Sequence, residues 1–147
     1  MESSRKKIII VDDNASYLSI VRNLLKPFYD VFPAPSGIKL FQLMEKFIPD
    51  MVLLDIAMPD MSGFDAIKLM KENPRYKDIP VVFITAKDDE ESAVKALDTG
   101  ATDFVTKPFS GPLLLRRISN LLALEQHKRE LQEIQITLED LRSQLAN

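Results

Sequence analysis

Lys7-Ile-Ile-Ile-Val-Asp-Asp13 is a short, unbroken apolar run that ends in two carboxylates. A strand with one wet face alternates polar and apolar residues, whereas a strand covered on both faces of a parallel sheet is apolar throughout. The same design recurs downstream, where Met51-Val-Leu-Leu54 ends in Asp55 and Phe104-Val-Thr106 ends in Lys107. In a parallel sheet all the carboxyl ends share one edge, and open α/β sheets place their ligands there. Asp12, Asp13, Asp55 and Lys107 are therefore expected to converge. Two carboxylates about 4 Å apart repel by roughly 4 kcal/mol at an effective dielectric of ~20, so a single lysine leaves such a cluster under-neutralised. Hard oxygen donors with room left for water and phosphate oxygens suit Mg²⁺.

Strand-like runs at 7–12, 29–34, 51–55, 81–85 and 102–106 alternate with amphipathic stretches, the pattern of repeated βαβ units and an α/β fold. Asn14 is placed to cap a first helix carrying Leu18, Val21, Leu24 and Leu25 on one face, until Lys26-Pro27 stops it. A second helix is expected from Ser36, with Ile38, Phe41 and Leu40 or Met44. A third follows Met61-Ser-Gly63 with Phe64, Ile67 and Met70 and ends near Asn73-Pro74. The fourth, over 88–98, has only Val94 and Leu97 as large apolar residues and closes at Thr99-Gly100, so it should bury least and move most easily. The fifth begins after Pro108-Phe-Ser110 and meets no proline or glycine beyond Pro112.

That last helix changes character along its length. To about Leu122 it is apolar enough to pack on a sheet, but from Leu124 the large apolar residues are Leu124, Leu131, Ile134, Leu138, Leu141 and Leu145. Their spacing is an a/d seam of period 3.5, with His127 at the one d position that is not aliphatic. A surface helix lying on its own domain would also carry an apolar stripe. The period favours a coiled coil, hence a homodimer. Leucine at a with Ile134 at d leans toward higher orders, whereas His127 and Leu141 do not. The division expected is 1–122 for the α/β domain and 123–147 for the coil, which ends without a helix stop and is expected to lead into an output domain.

At 147 residues and 46% hydrophobic composition the chain can bury a domain-sized core. A formal net charge of −3 gives no basic surplus for a phosphate backbone, which argues against direct nucleic-acid binding. No window approaches ~18 unbroken apolar residues, and the first residues show no secretory cleavage pattern. With no cysteine in the chain, a cytoplasmic protein without membrane contact is expected, and thiolate chemistry is excluded.

Asp12-Asp13, Asp55-Ile-Ala-Met-Pro-Asp-Met-Ser-Gly63, Val81-Val-Phe-Ile-Thr-Ala86 and Asp103-Phe-Val-Thr-Lys-Pro108 occur in order and at fitting distances. Together they resemble the receiver domain of two-component response regulators, over about residues 5–122. The resemblance implies a flavodoxin-like, doubly wound, five-stranded parallel sheet of order 2-1-3-4-5. It implies phosphotransfer to Asp55 from the phosphohistidine of a sensor histidine kinase or phosphotransfer protein. It further implies Mg²⁺ held by Asp13, Asp55 and the carbonyl of Ala57, with Asp12 acting mainly through a bound water. A cis bond at Lys107-Pro108 and a switch pair of Thr85 and an aromatic at Phe104 also follow from it, as does a coil running parallel into paired output domains.

The residue chemistry agrees with these roles. An ionised Asp55 at the end of a central strand is a nucleophile for phosphorus. Lys107 is a point charge for phosphate oxygen, and Thr85 offers a hydroxyl that can reorient, with Ala86 beside it leaving room. Taken singly, each has a plainer reading: Asp12-Asp13 as a helix N-terminus complement, Thr85 as a β-branched strand residue, Phe104 as a core aromatic. Met58-Pro59 and Gly63 read as turn-makers. The chain is expected to be a phosphoacceptor switch and not itself an enzyme. A haloacid-dehalogenase-like phosphohydrolase needs a second acid two residues after its nucleophile, and here Asp55 is followed by Ile56 and Ala57. A receiver-like interaction module that takes no phosphate is the remaining alternative.

Overall fold

A computed structural model of the chain describes residues 5–86 and 90–146. Among these, strands β1 (Lys7–Val11), β2 (Asp30–Ala34), β3 (Met51–Asp55), β4 (Val81–Ala86) and β5 (Asp103–Lys107) alternate with helices α1 (Ala15–Leu25), α2 (Gly37–Lys46), α3 (Gly63–Glu72), α4 (Glu90–Asp98) and α5 (Gly111–Ala146). The strands form one parallel sheet of order β2-β1-β3-β4-β5. This is the expected flavodoxin-like α/β topology. The chain leaves β1 in one direction to make β2 and returns past it to make β3, so a crevice opens above β1 and β3 where the winding reverses.

Burial follows position in that order. β3 is buried throughout, as are β1 after Lys7 and β4 before Ala86, while the edge strands β2 and β5 are only partly covered. Pro33 is tolerated on β2 because of its parity: the Asp30 N–H donates to the Lys6 carbonyl, so even-numbered residues face β1 and the nitrogen of Pro33 faces the open edge. Phe83 of β4, Leu54 of β3, and Ile67 and Met70 of α3 belong to one buried cluster with Leu40 and Met44 of α2. Each central strand therefore delivers its last residue at a fixed height.

Helix starts are set by side-chain caps. Asn14 accepts the N–H groups of Ser16 and Tyr17, Ser36 accepts that of Lys39, and Ser62 and Asp65 form a reciprocal capping box. Gly100, with φ +106°, turns the chain after α4 in the left-handed region that only glycine enters freely. Some expectations shift. Ile38, read as part of the α2 core face, is 56% exposed, because Gly37, Leu40 and Met44 define that face and Ile38 lies roughly 100° around from Gly37. On α1 only Val21 and Leu25 are fully buried. β5 runs one residue later than expected, and the start of the fourth helix at Asp88 lies outside the described residues.

The chain divides into two compact units, Met1–Leu115 and Arg116–Asn147. The sheet and its core belong to the first. The second is the continuation of α5, on which Leu124, Leu131, Ile134, Leu138, Leu141 and Leu145 are 50–88% exposed.

Gly63 controls the junction of β3 and α3. Its N–H donates to the Ile56 carbonyl at 2.7 Å, and a Cβ there would stand 2.6 Å from the Asp55 carbonyl oxygen and 2.6 Å from Phe83 Cε1. Backbone on one side and a fully buried ring on the other leave no flexible group to give way. Gly63→Ala is expected to destabilise the protein by about 1–3 kcal/mol, read as a lower urea midpoint, and an unchanged midpoint would contradict this packing.

Candidate functional site

The residues expected to converge do so. Asp12, the residue after β1, is 2% exposed. Its Oδ1 accepts the Asn14 N–H at 2.9 Å and its Oδ2 accepts the Lys107 ammonium at 2.8 Å. Asp55 ends β3, is 7% exposed, and lies with Oδ2 3.9 Å from the same Lys107 Nζ. Its Oδ1 accepts the Ala57 N–H at 3.4 Å. Asp13 stands exposed at the rim, and one carboxylate oxygen from each of Asp12, Asp13 and Asp55 lies within 4.8 Å of the others. Register explains the meeting: Val11 pairs with Leu54 and Asp55 with Ile84, so the residues after β1 and at the end of β3 emerge side by side.

Thr85 follows Ile84 on β4, is buried, and donates its hydroxyl to the Ala86 carbonyl at 3.2 Å. Phe104 pairs with Phe83 across β4 and β5 and packs, partly buried, against the core. Ala57 is exposed in the loop after β3. The Lys107-Pro108 bond is cis, as the resemblance implied.

Burial pushes the Asp55 carboxyl up to about 6, and the Asp12 charge pushes the same way; Lys107 and the Ala57 N–H oppose them, and Asp13 adds a smaller upward push. A cluster of three carboxylates with one ammonium is thus electrostatically incomplete. Its donors are all hard oxygens, one of them at the solvent edge, which fits a divalent cation that keeps part of its water.

Two residues at this end of the sheet were not singled out from the sequence. Tyr17, in the first turn of α1, holds its ring centroid 4.2 Å from Lys107 Nζ. Its place in the first turn of the helix that follows the acidic pair was the available signal. Asp60 accepts the N–H of Gly37 at 3.3 Å and of Ile38 at 3.0 Å, tying the loop after β3 to the start of α2. Burial works to raise its pKa, but the N–H groups of Ile38, Gly37, Met61 and its own backbone outweigh that and hold the carboxyl below its ordinary value.

The raised Asp55 pKa has a definite sign for stability. The folded state binds this proton more tightly than the unfolded chain, so the group's contribution declines as pH rises from the ordinary 3.8 to about 6. In chelator at pH 7, Asp55→Asn is expected to be more stable than wild type by roughly 1–3 kcal/mol, and the difference should close by about pH 4. Urea titrations across that range measure it; a difference independent of pH would show that ionisation of Asp55 is not its cause.

Residues 8–119 match the response regulator receiver domain family. The sensor histidine kinase TmoS of Ectopseudomonas mendocina is 35% identical over 84% of this chain and 13% of its own length. The response regulator PleD of Caulobacter vibrioides is 35% identical over 78% of this chain and 26% of its own. The chain therefore spans less than a third of these curated relatives. Among solved structures, the chemotaxis response regulator CheY4 of Vibrio cholerae superposes with a TM-score of 0.74 at 28% identity, covering 80% of this chain and 98% of that one. The sheet order, the ordered motifs at its carboxyl edge and these matches agree, and the chain belongs to the response regulator receiver domain family.

Proposed function

We propose that the chain is a phosphorylation-driven signalling switch in which Asp55 accepts a phosphoryl group from the phosphohistidine of a sensor histidine kinase or phosphotransfer protein. The observation that carries this reading is the buried Asp55 carboxylate facing Lys107 at 3.9 Å, within a cluster whose oxygens fit a divalent cation. In the transfer an Asp55 oxygen forms a bond to phosphorus as the histidine nitrogen–phosphorus bond breaks, leaving an acyl phosphate and a free imidazole. Asp13, Asp55 and the Ala57 carbonyl would hold Mg²⁺, with Asp12 reaching it through water; the ion supplies charge neutralisation for the transferring oxygens. Lys107 meets a phosphoryl oxygen as a point charge.

The Thr85 hydroxyl, in this reading, leaves the Ala86 carbonyl for the phosphoryl group, and Phe104 follows into the space released. The change is passed through the face of α4, β5 and α5 and through a dimeric coiled coil. The receiver domain occupies about 1–122 and a coil about 123–147. Residues 124–145 pair with those of a second copy as a parallel coil about 32 Å long at ~1.5 Å per residue, and any output enzyme lies in a segment beyond it. No described helix is long and apolar enough to cross a membrane, and the proposed setting is the cytoplasm, without nucleic-acid contact by this chain. The seam supports the dimer: six aliphatic side chains at a/d spacing are exposed along one helix. The flanking pairs, Glu130 with Gln135 and Thr137 with Arg142, are not opposite charges, so apolar packing must supply most of the association.

Incubation with a small acyl-phosphate donor and Mg²⁺ should add one phosphoryl group, located at Asp55 by mass spectrometry and lost in Asp55→Asn and in chelator. Equal labelling of Asp55→Asn would overturn the assignment. The coil is tested separately by light scattering: the wild type should be dimeric and Leu131→Lys/Leu138→Lys monomeric. A monomeric wild type, or a mutant that stays dimeric, removes the seam as the contact.

A further inference from the structure

We propose that Tyr17 is a positioning residue for Lys107, its ring face holding the ammonium against Asp12 and beside Asp55. The inference rests on the proposed role of Lys107 in meeting phosphate and adds to it what fixes the lysine. Lys107 projects from the edge strand β5, and its ammonium nevertheless reaches the turn after β1, two strands beyond its neighbour β4. A four-carbon stem with a strongly hydrated head does not hold such a reach by itself. Three groups bound the ammonium: Asp12 Oδ2 at 2.8 Å, Asp55 Oδ2 at 3.9 Å and the centroid of the Tyr17 ring at 4.2 Å. The two carboxylates attract it from the floor of the site. The ring face, negative by its quadrupole, closes another side without competing with the phosphoryl group for the ammonium as another carboxylate would.

The ring is itself well fixed. Tyr17 donates its backbone N–H to Asn14 Oδ1 at 3.2 Å, so the cap that starts α1 also sets the position of the tyrosine. Phe109, two residues beyond Lys107, packs on the ring at 6.3 Å between centroids in a tilted arrangement. One aromatic side chain thus touches both the lysine and the segment that follows it, binding the end of β5 to the first turn of α1. The contact uses the ring face, so phenylalanine should replace tyrosine, and leucine, of similar bulk but without a quadrupole, should not.

The test uses the full chain with Tyr17→Phe and Tyr17→Leu, each alone and combined with Lys107→Ala. Tyr17→Phe is expected to be labelled by the acyl-phosphate donor within about twofold of wild type, and Tyr17→Leu about 3- to 30-fold more slowly. In the Lys107→Ala background the leucine change should have almost no further effect. A second readout needs no phosphoryl donor: the Lys107 side-chain methylene resonances nearest the ammonium should be shifted upfield by the ring in wild type and Tyr17→Phe, and lose that shift in Tyr17→Leu. Labelling of Tyr17→Leu at the wild-type rate, an equal loss in both backgrounds, or a shift that survives the leucine change would overturn the proposal. Wild-type labelling of Lys107→Ala alone would instead count against the role assigned to Lys107, and the methylene shift would still decide whether Tyr17 holds it.

Discussion

Carboxylates crowded at one edge of a sheet repel, and this repulsion organises the rest of the site. Asp12 and Asp55 are both buried, Asp13 stands beside them, and Lys107 alone among the described ion pairs bridges to the cluster. Burial first, and the Asp12 charge second, hold a proton on Asp55 to about 6. A fold that only needed to be stable would place apolar groups there, because ion pairs buried with imperfect compensation seldom add stability. What keeps the carboxylates close is geometry set elsewhere, in the register of β1 with β3 and in the packing of Gly63 against the Asp55 backbone. The core therefore holds an unfavourable cluster together, and under the proposed function that cluster is what would draw a cation and a phosphoryl group to the edge.

Much of this was legible in the sequence, for a physical reason. Strands buried on both faces are unbroken apolar runs, so Lys7–Val11, Met51–Asp55 and Val81–Ala86 declare themselves, and in a parallel sheet the polar residue ending each run has only one edge to occupy. The edge strands were less sharply bounded because they are half-covered, and the limits expected for β5 were a residue early. Ile38 misled because an apolar residue in the first turn of a helix belongs to the core only if its angular position does, and the face is fixed by Gly37, Leu40 and Met44. Tyr17 and Asp60 were missed for a different reason. Each acts on a partner far away in the chain, Lys107 in one case and the N–H groups of Gly37 and Ile38 in the other, and no local pattern records such a meeting.

α5 illustrates where pattern and structure answer different questions. A 36-residue helix follows from a segment without internal proline or glycine after its first turn. Its seam residues are exposed on a single chain, and an exposed stripe of leucine and isoleucine at a 3.5-residue period gains nothing from solvent. The strict return of the stripe to one face distinguishes it from the scattered exposed apolar residues of α1 and α2, such as Ile20 and Ile38. In the proposed dimer, pairing with an identical stripe would give that period a physical purpose.

A switch needs two arrangements of similar free energy and a ligand that prefers one of them. The resting contact at Thr85 is a neutral hydroxyl–carbonyl hydrogen bond of 3.2 Å to the adjacent residue, longer than the usual O–H···O range and so weak. A phosphoryl oxygen on Asp55 would be an ionised acceptor, and hydrogen bonds to ionised groups are roughly twice as strong as neutral ones. The exchange therefore favours release of the Ala86 carbonyl once phosphate is present and not before. On the far side, among the described side chains of α4, Val94 and Leu97 are both exposed, so neither adds much apolar burial against a shift of that helix. The proposed transition thus draws its direction from charge at the sheet edge and part of its ease from the exposed Val94 and Leu97 of α4.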